Sequence, residues 1–370
     1  MKKVLFIDRD GILLEEPADE QVDSLSKVKF PKGMFSALSK IVQTLDYELV
    51  MVTNQDGLGT DSYPESDFWP YQELLIRSLA GEGVEFDEIC IDRSFEKENS
   101  KYRKPETGLL TKYLNGKYDL ENSYVIGDRW SDMQLASNLG CKGIWLHPRE
   151  NDKDGVWRNP IVLKSEDWAE VYRYLVKADR KAISIRNTSE TKISARINLD
   201  GSGVAEIKTG LSFFNHMLDQ IARHGSIDLS IDVNGDLEVD EHHTIEDTAI
   251  ALGEIFNKVL AKKAGITRYG YAIPMDDCKA QVLLDFGGRP WLVWDVEFER
   301  EMIGDVPTEM WYHFFKSFCD HAKCNLNIFA VGNNEHHKIE SIFKAFARAI
   351  KMAKNRNEND FSIPSTKGTL

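Results

Sequence analysis

Short apolar runs alternate with longer amphipathic segments through the first half of the chain. The apolar runs occupy residues 4–7, 49–52, 124–126 and 143–146. Each is rich in strand-forming residues, whereas residues 33–45 repeat apolar positions at the spacing of one helical face. Strands that alternate with helices predict an α/β fold, a Rossmann-like parallel sheet with helices on its faces.

The second half carries a different pattern, and this pattern occurs twice. A Phe- and His-bearing helix, a strand-like run and a second amphipathic helix follow one another from residue 213 and again from residue 311. In the first copy the last helix places apolar residues at 245, 249, 252, 256 and 259, the steps of a buried helical face. A period of about one hundred residues is too long for a solenoid, so we predict an α+β domain made of two duplicated half-domains.

The boundary between the two patterns falls in a helical segment, residues 164–181, that is rich in neither proline nor glycine. We place the boundary near Ala178, which gives one domain of residues 1–178 and another of residues 179–370. A chain of 370 residues is long enough for two separate cores.

Composition narrows the classes of partner. A formal net charge of −14 argues against a nucleic-acid partner, since phosphate binding needs clustered lysine and arginine. The apolar run at residues 4–7 is too short for a signal peptide or a membrane span, so we expect no membrane partner. Five scattered cysteines without a C-x-x-C pair favour a reducing compartment. We therefore expect a cytoplasmic enzyme.

Histidines are distributed very unevenly. Of nine, only His147 lies before residue 200, and the other eight lie between residues 216 and 337. His147 follows a predicted strand, and we interpret it as structural. The two halves of the chain are therefore expected to carry different chemistry.

Three aspartates follow the predicted strands of the first half. Asp8 and Asp10 come directly after the first strand, and Asp128 follows a later one. The carboxyl ends of parallel strands meet at one edge, where open α/β sheets bind ligands. Clustered carboxylates suit Mg²⁺, and a carboxylate can also attack phosphorus to form a covalent intermediate.

Three further residues complete a site for phosphoryl transfer. Thr53 and Asn54 offer hydrogen-bond donors to phosphate oxygens, and Lys104 offers a positive charge. An Asp-x-Asp pair after a strand is also typical of an ordinary capped turn. That simpler interpretation loses weight because Thr53, Lys104 and the pair Asp128 and Asp132 follow in the expected order.

The first half resembles the haloacid-dehalogenase superfamily of phosphatases. The matching motifs are Asp8-Arg9-Asp10-Gly11, Val52-Thr53-Asn54-Gln55, Arg103-Lys104-Pro105 and Ile126-Gly127-Asp128. Within that superfamily it looks like the phosphatases of histidinol phosphate and heptose bisphosphate. The resemblance implies that Asp8 is the nucleophile and Asp10 the general acid/base, with Mg²⁺ held by Asp8, the Asp10 carbonyl and Asp128. A heptose bisphosphate or another metabolite phosphate stays open as the substrate.

The chain departs from this group of phosphatases in one loop. The group often carries a zinc loop with the pattern Cys-x-His and then Cys-x-Cys before Arg-Lys-Pro. Here the corresponding residues are Cys90 and Asp92, then Ser100 and Tyr102. Tetrahedral zinc needs about four nitrogen or sulfur ligands. We therefore predict no zinc in this domain and a loop held by packing.

Two His-His-x-x-Glu motifs are the strongest signal in the second half. His242 and Glu246 are four residues apart and share a helical face, whereas His243 is rotated from His242 by about 100°. One ion cannot easily bind both neighbouring histidines, so each motif is expected to serve two ions. With two further histidines, the candidate ligands are His216, His242, His243, Glu246, His313, His336, His337 and Glu340.

These eight residues divide into two sites, each with three histidines, one glutamate and open positions. Such a site suits catalytic Mn²⁺, Fe²⁺ or Zn²⁺. Buried, hydrogen-bonded histidines are the simpler explanation of a single His, but they do not explain a duplicated motif. We favour that explanation for His224 and His321, which the two sites do not need.

The second half resembles imidazoleglycerol-phosphate dehydratase along nearly its whole length. The match runs from Arg186-Asn187-Thr188, through Phe213-Phe214-Asn215-His216 and the histidine motifs, to Ser365-Thr366-Lys367-Gly368. The resemblance implies two Mn²⁺ ions bound by the eight ligands. It also implies phosphate contacts from Arg268, Arg289, Ser365 and Lys367. Glu190 is expected to contact the glycerol hydroxyls of the substrate and to take part in proton transfer.

The two resemblances together imply a bifunctional enzyme of histidine biosynthesis, a hydrolase fused to a lyase. The first domain would hydrolyse histidinol phosphate to histidinol, and the second would dehydrate imidazoleglycerol phosphate to imidazoleacetol phosphate. The dehydratase family forms trimers that assemble into 24-subunit shells, so a homo-oligomer is expected. An alternative for the second domain is a metal-binding assembly without catalysis.

Overall fold

The computed structural model describes residues 1–148, 160–260, 262–357 and 362–370. The chain divides into two compact units, a first unit of Met1–Val176 and a second unit of Lys177–Leu370. Within the described ranges, no helix combines the length and the apolar character that crossing a membrane requires.

The first unit is a parallel six-stranded sheet with helices between its strands. The strands are β1 (Lys3–Ile7), β2 (Tyr47–Asn54), β3 (Glu88–Asp92), β4 (Tyr124–Gly127), β5 (Lys142–Leu146) and β6 (Ile161–Ser165). The helices are α1 (Met34–Thr44), α2 (Glu65–Gly81), α3 (Trp130–Leu139) and α4 (Trp168–Asp179). The spatial order is β3-β2-β1-β4-β5-β6, and every pairing is parallel. The predicted Rossmann-like sheet is thereby confirmed.

β1 lies at the centre of this sheet because it is apolar on both faces. Val4, Leu5, Phe6 and Ile7 are all 0% exposed, as expected for a strand covered by helices on both sides. β2 and β4 pair with β1 in parallel. The carboxyl ends of these three strands therefore lie side by side, and the polar residues that follow them share one edge of the sheet.

The second unit contains two four-stranded sheets. The first is built from β7 (Lys181–Asn187), β8 (Thr191–Asn198), β9 (Ala205–Lys208) and β10 (Asp228–Gly235), in the order β7-β8-β10-β9. The second is built from β11 (Tyr269–Met275), β12 (Cys278–Asp285), β13 (Trp291–Val296) and β16 (Asn325–Val331), in the order β11-β12-β16-β13. β14 (Met302–Ile303) and β15 (Val306–Pro307) pair with each other. The helices are α5 (Ser212–Gly225), α6 (His242–Leu260), α7 (Met310–Ala322) and α8 (Glu335–Ala353).

The two sheets of the second unit have the same topology, which confirms the predicted duplication. In each copy an antiparallel pair of strands is followed by a third strand that lies parallel to the fourth. The helices pack across the copies, α6 against α7 and α5 against α8. This arrangement brings the histidine motif of each copy next to the Phe- and His-bearing helix of the other.

The buried face of α6 explains where its polar residues lie. The residues predicted to face the core are at most 1% exposed: Ile245, Ala249, Leu252, Phe256 and Val259. Their contacts fix the rotation of the helix about its own axis. His242 and Glu246 are left half-buried at the margin of the core.

Candidate active sites

Three aspartates meet at the edge of the parallel sheet where β1 and β4 end. Asp8 follows β1, Asp128 follows β4, and Asp132 lies in the first turn of α3. One carboxylate oxygen from each lies within 4.8 Å of the others, and all three residues are buried. Gly11 permits this close approach, because a Cβ there would lie 2.1 Å from Asp128 Oδ2 and its φ is +80°.

Lys104 enters the same cluster from the loop that follows β3. Its Nζ lies 2.7 Å from Asp8 Oδ1 and 2.8 Å from Asp132 Oδ1. Burial on its own lowers the pKa of Lys104, but the charges of Asp132 and Asp8 outweigh burial and raise that pKa. The ammonium group is therefore fixed between the two carboxylates.

One lysine does not balance three buried carboxylates. Burial raises the pKa of Asp8 to about 7, and burial together with the charge of Asp8 raises the pKa of Asp128 to about 8. Both shifts reflect the difficulty of keeping several ionised carboxylates together away from water. A divalent cation relieves this repulsion, and a set of hard oxygen donors fits Mg²⁺ better than a softer metal.

Asp10 lies beside this cluster and is held by two neighbours. Its carboxylate is paired with Arg9 and accepts a hydrogen bond of 2.6 Å from Gln55 Nε2. The same Gln55 nitrogen donates to Thr53 Oγ1 at 2.8 Å. Asp10, Thr53 and Gln55 line a cavity of about 830 Å³ at the carboxyl edge of the sheet. Gln55 belongs to the motif Val52-Thr53-Asn54-Gln55, but its contact with Asp10 is visible only in the fold.

Asn54 and Asp132 each contact Lys104 in a way that the sequence does not predict. The Lys104 backbone engages both polar groups of Asn54: Lys104 N donates to Oδ1 at 3.0 Å, and Nδ2 donates to Lys104 O at 3.3 Å. Asn54 thus orients Lys104, and its contact with phosphate stays a prediction. Asp132 follows Asp128 in the same sequence motif, but its contact with Lys104 is visible only in the structure.

The loop of residues 93–104 borders the same cavity, and Asp92 anchors it. Asp92 is 4% exposed. Its carboxylate accepts hydrogen bonds from Ser94 N at 3.1 Å, Ser94 Oγ at 2.5 Å and Ser100 Oγ at 3.3 Å. Arg103 also donates to Ser94 O at 2.9 Å. The sequence predicts a loop held by packing, whereas the structure holds it by hydrogen bonds centred on Asp92.

Two histidine–glutamate clusters lie at the starts of α6 and α8. Cluster A consists of His242 and Glu246 from α6 with His313 from α7. Cluster B consists of His336 and Glu340 from α8 with His216 from α5. In each cluster, one ligand atom per residue lies within 4.8 Å of the others. Each cluster therefore combines residues from both copies of the repeat.

The distances within the two clusters suit a shared ion. In cluster A, His242 Nε2 lies 2.9 Å from Glu246 Oε2, and the centres of the His242 and His313 rings are 5.1 Å apart. In cluster B, His336 Nε2 lies 3.6 Å from Glu340 Oε2. Two imidazole nitrogens with one carboxylate oxygen are typical donors to Mn²⁺, Fe²⁺ or Zn²⁺.

His243 and His337 lie outside both clusters, each on an aspartate. His243 Nδ1 lies 3.0 Å from Asp236 Oδ2, and His337 Nδ1 lies 2.9 Å from Asp277 Oδ1. The hydrogen bond with Asp236 raises the pKa of His243, and the hydrogen bond with His337 lowers the pKa of Asp277. Since a carboxylate only accepts, each Nδ1 is the donor, and each Nε2 is left as the ligand atom.

Each in-chain cluster thus has two histidines and one glutamate, against the predicted three and one. The structure separates His242 from His243, as the helical rotation requires, and the third histidine of each site stays a prediction. His224 and His321 are in neither cluster among the described residues, and His321 Nδ1 lies 2.8 Å from Ser317 O. Asp236 and Asp277 are the partners of the outlying histidines, and nothing in the sequence pattern identifies them.

A separate cleft of about 580 Å³ gathers the predicted phosphate contacts. It is lined by Arg268, Arg289, Ser365 and Lys367. Arg268 is paired with Asp285 and donates to Pro364 O at 2.7 Å, so its side chain is fixed. Two guanidinium groups, an ammonium group and a hydroxyl around one cleft suit a phosphate. Glu190 lies elsewhere, exposed, with its Oε1 3.9 Å from His243 Nε2.

These features define the class of protein: a parallel α/β unit with a candidate phosphotransfer site, joined to a duplicated α+β unit with two candidate metal sites. The family model described as imidazoleglycerol-phosphate dehydratase matches residues 209–350. The model described as HAD-hydrolase-like matches residues 101–154. Both families generally use metal ions, and the dehydratase family acts on phosphorylated substrates.

Curated relatives match over their full length. Histidine biosynthesis bifunctional protein HisB of Spirosoma linguale is 56% identical over 382 residues, and that of Bacteroides fragilis is 57% identical over 372 residues. Both alignments cover 100% of this chain and 100% of the relative. The chain therefore belongs to the family of histidine biosynthesis bifunctional proteins HisB.

A solved structure also matches part of the chain. A crystal structure of imidazoleglycerol-phosphate dehydratase from Staphylococcus aureus is 33% identical and covers 48% of this chain and 99% of that chain, with a TM-score of 0.44. Through its family, the prediction of a bifunctional histidine-biosynthesis enzyme, a hydrolase joined to a lyase, is confirmed.

Proposed function

We propose that the first unit hydrolyses histidinol phosphate to histidinol and that the second unit dehydrates imidazoleglycerol phosphate to imidazoleacetol phosphate. One observation carries the proposal: a buried aspartate–lysine cluster and two histidine–glutamate clusters occur in one chain. We assign the two activities to residues 1–178 and 179–370. We assign the enzyme to the cytoplasm, where its five free cysteines stay reduced.

Asp8 is the nucleophile of the phosphatase reaction. Its carboxylate forms a bond to phosphorus while the bond from phosphorus to the alkoxide oxygen of the substrate breaks. Lys104 Nζ, 2.7 Å from Asp8 Oδ1, neutralises charge on the transferring group. Asp10 gives a proton to the leaving oxygen and later removes one from the water that hydrolyses the aspartyl phosphate. Thr53 and Asn54 donate hydrogen bonds to the phosphate oxygens.

Mg²⁺ is the proposed cofactor of the phosphatase, held by the side chains of Asp8 and Asp128 and by the Asp10 carbonyl. When bound, it offsets the negative charge of the phosphate and the carboxylates. Asp132 contributes through its ion pair with Lys104, which keeps the ammonium group beside Asp8.

Replacing the nucleophile tests the phosphatase proposal. In Asp8→Asn, phosphate release from histidinol phosphate should fall at least ~10³-fold, because an amide does not form the covalent intermediate. Dehydratase activity should be unchanged in the same preparation. Full phosphatase activity in this variant would rule out Asp8 as the nucleophile.

The alternative substrates of the phosphatase are a heptose bisphosphate and other metabolite phosphates. The full-length match to histidine-biosynthesis relatives favours histidinol phosphate. Measuring kcat/KM for histidinol phosphate and a heptose bisphosphate, each with Mg²⁺, decides between them. A higher kcat/KM for the heptose bisphosphate would reverse the assignment.

We also propose that the phosphatase unit binds no zinc. Asp92 and Ser100 stand where thiolate or imidazole ligands would be needed, and they are already hydrogen-bonded to each other. Elemental analysis of the isolated first unit tests this, and stoichiometric zinc would contradict it.

In the dehydratase reaction, side chains of the second unit bind the substrate and transfer protons. Four of them bind the phosphate: Arg268, Arg289, Ser365 and Lys367. Glu190 contacts the glycerol hydroxyls and transfers protons. Two Mn²⁺ ions, one for each histidine–glutamate cluster, are the proposed cofactors; when bound, they act as Lewis acids toward the imidazole ring and hold it in place.

Neighbouring copies of the chain complete the proposed Mn²⁺ sites. His243 and His337 lie outside clusters A and B, and each has its Nδ1 on an aspartate and its Nε2 available. If a second copy supplies them, each site gains a third histidine beside its glutamate. This favours a homo-oligomer, and the resemblance to the dehydratase family implies that it is based on trimers, with as many as 24 copies in the assembly.

The most informative experiment assays both reactions on the purified chain after metal removal, with single metals added back. We expect Mg²⁺ to restore phosphate release and Mn²⁺ to restore dehydration of imidazoleglycerol phosphate. Mn²⁺ binding without dehydration would support the alternative, a non-catalytic metal-binding assembly. Sedimentation with and without Mn²⁺ tests the oligomer proposal. If Mn²⁺ joins neighbouring copies through His243 and His337, the wild type should form a larger species with Mn²⁺ than without it, and His243→Ala and His337→Ala should not.

A further inference from the structure

Arg9, the residue between Asp8 and Asp10, is a fully buried cation at the phosphatase site. It is 0% exposed. A guanidinium group does not give up its proton, so a buried one needs partners for its charge. Nη1 is paired with Asp10 Oδ1, and Nε donates to Gln72 Oε1 at 2.9 Å. Among the residues that the structure describes, none accepts a hydrogen bond from Arg9 Nη2.

The support for Arg9 comes from α2. Phe68 and Gln72 are four residues apart on one face of this helix, and they are 0% and 2% exposed. The ring centre of Phe68 lies 4.9 Å from the guanidinium carbon of Arg9, a cation–π distance. Because Arg9 can only donate, Gln72 must turn its oxygen to Arg9, and its nitrogen then lies 3.4 Å from Met51 Sδ.

The opposite side of Asp10 is held by Gln55. Gln55 Nε2 donates to Asp10 Oδ2 at 2.6 Å, and Gln55 is itself 4% exposed. Arg9 and Gln55 therefore hold one carboxylate oxygen each. A carboxyl group that carries a proton still keeps acceptor sites on its oxygens, so both contacts persist through a proton-transfer cycle.

We propose that the buried series Gln72, Arg9 and Asp10 orients the carboxyl group of Asp10 for proton transfer, with Arg9 and Gln72 as positioning residues. The inference rests on the proposed role of Asp10. As the bond from phosphorus to the alkoxide oxygen breaks and the bond to Asp8 forms, the proton of Asp10 moves to that oxygen. The aspartyl phosphate then forms with Asp10 ionised, ready to take a proton from water.

Two substrates with different leaving groups can show whether Arg9 and Gln72 position Asp10 or only stabilise the fold. An alkoxide is a poor leaving group and needs a proton, whereas 4-nitrophenolate leaves without one. Since kcat/KM reports only the steps up to formation of the aspartyl phosphate, kcat/KM for 4-nitrophenyl phosphate should not depend on how Asp10 is oriented. A positioned general acid contributes roughly 10²–10⁴-fold, and partial misorientation removes part of that.

Gln72→Leu in the full chain with Mg²⁺ is the primary variant. We expect kcat/KM for histidinol phosphate to fall at least ~10-fold, while kcat/KM for 4-nitrophenyl phosphate changes less than ~2-fold. Gln72→Glu keeps an acceptor oxygen for Arg9 and should restore most of the lost kcat/KM. If Gln72→Leu does not fold, Arg9→Lys takes its place, because it keeps the charge but lacks the rigid fork that joins Gln72 to Asp10.

Two controls make the outcomes distinct. Leu75→Ala opens a cavity on the buried face of α2 without removing a hydrogen-bonding group. It should therefore change kcat/KM for the two substrates by the same factor. If Gln72→Leu, or Arg9→Lys in its place, also affects both equally, the positioning role is wrong. In Asp10→Asn, kcat/KM for histidinol phosphate should fall far more than kcat/KM for 4-nitrophenyl phosphate. If Asp10→Asn affects both substrates equally, the proposed role of Asp10 itself fails.

Discussion

Clusters A and B come from equivalent positions of the two repeats, yet their glutamates have different neighbours. In cluster A, Glu246 Oε1 accepts a hydrogen bond of 3.3 Å from Ser317 Oγ. In cluster B, Glu340 Oε1 lies 2.8 Å from the ammonium nitrogen of Lys344. The side chain of Glu340 is also less exposed, 13% against 38% for Glu246. The duplication has kept the ligand types and changed their electrostatic surroundings.

The contact of Glu340 with Lys344 arises at one sequence position. Eight residues after the first histidine of each motif, α6 carries Ile250 and α8 carries Lys344. A metal ion bound at cluster B would have to share Glu340 with the ammonium group of Lys344, whereas an ion bound at cluster A would have no such competitor at Glu246 among the described residues. We therefore infer that cluster A binds a cation more tightly than cluster B, although both appear identical in the sequence motif.

The largest effect is expected when a ligand is removed from either cluster. His242→Ala and His336→Ala each leave two in-chain donors, so the corresponding ion should be lost and dehydratase kcat should fall at least ~100-fold. Metal analysis after dialysis and the dehydration assay measure both effects. His224→Ala, outside both clusters, is the control. Turnover retained without metal in His242→Ala would contradict the mechanism.

Replacing the aspartate partners of His243 and His337 tests whether the two repeats are equivalent outside clusters A and B. Asp236→Ala and Asp277→Ala remove the acceptor that fixes the ring of His243 or His337, and such losses lower metal affinity or activity by roughly 10–100-fold. Asp236→Ala should also lower the pKa of His243, because the Asp236 hydrogen bond is the main factor that raises it. Titration with Mn²⁺ measures the affinity. Equal affinities in wild type and variants would show that these aspartates do not orient ligands.

Helix packing around the clusters also differs between the copies. A Cβ at Gly253 of α6 would lie 2.7 Å from Phe318 O and 2.9 Å from Ala322 N, whereas the equivalent position of α8 is Ala347. Gly253→Ala should destabilise the second unit by about 1–3 kcal/mol, since the clash outweighs the better helix propensity. Ala347→Gly should destabilise it by about 0.5–1 kcal/mol. Thermal unfolding of the two variants measures both, and the reverse ranking would contradict the close contact of α6 with α7.

The smallest expected effect isolates Lys344. Lys344→Ile copies the residue of cluster A and should tighten Mn²⁺ binding at cluster B by roughly two- to fivefold, the range expected of a partly exposed ion pair. The measurement needs a His242→Ala background, in which only cluster B binds. Ile250→Lys in a His336→Ala background should weaken cluster A by a similar factor. Lys344→Arg keeps the charge and serves as the control; if it matched Lys344→Ile, charge would not be the cause.

Regular spacing is what made parts of this protein predictable from sequence. The runs around Val4 to Ile7 predict a buried parallel strand because burial on both faces leaves no polar position. The helical spacing of His242, His243 and Glu246 predicts that the two histidines face different ions, because the angle between neighbouring residues follows from the helix alone. Both predictions depend on local geometry.

Contacts between segments that are distant in the chain could not be predicted from the sequence. Asp277 lies sixty residues before His337 and meets it only because β12 pairs with β16. Asn54 is in the expected motif, but whether it faces phosphate or the Lys104 backbone depends on where the loop after β3 returns. The buried environment of Arg9 likewise requires α2 to be packed over the sheet. Sequence spacing carries no information on any of these distances.

The loop anchored by Asp92 has a chemical consequence for the environment in which the phosphatase can work. Its hydrogen bonds come from oxygen and nitrogen atoms of Asp92, Ser94 and Ser100, which neither chelators nor peroxides attack. The nearby thiol of Cys90 is buried, and burial raises its pKa to about 12, so it stays protonated and unreactive. If the loop binds no zinc, as proposed, its anchor would persist when zinc is scarce or when thiols are oxidised.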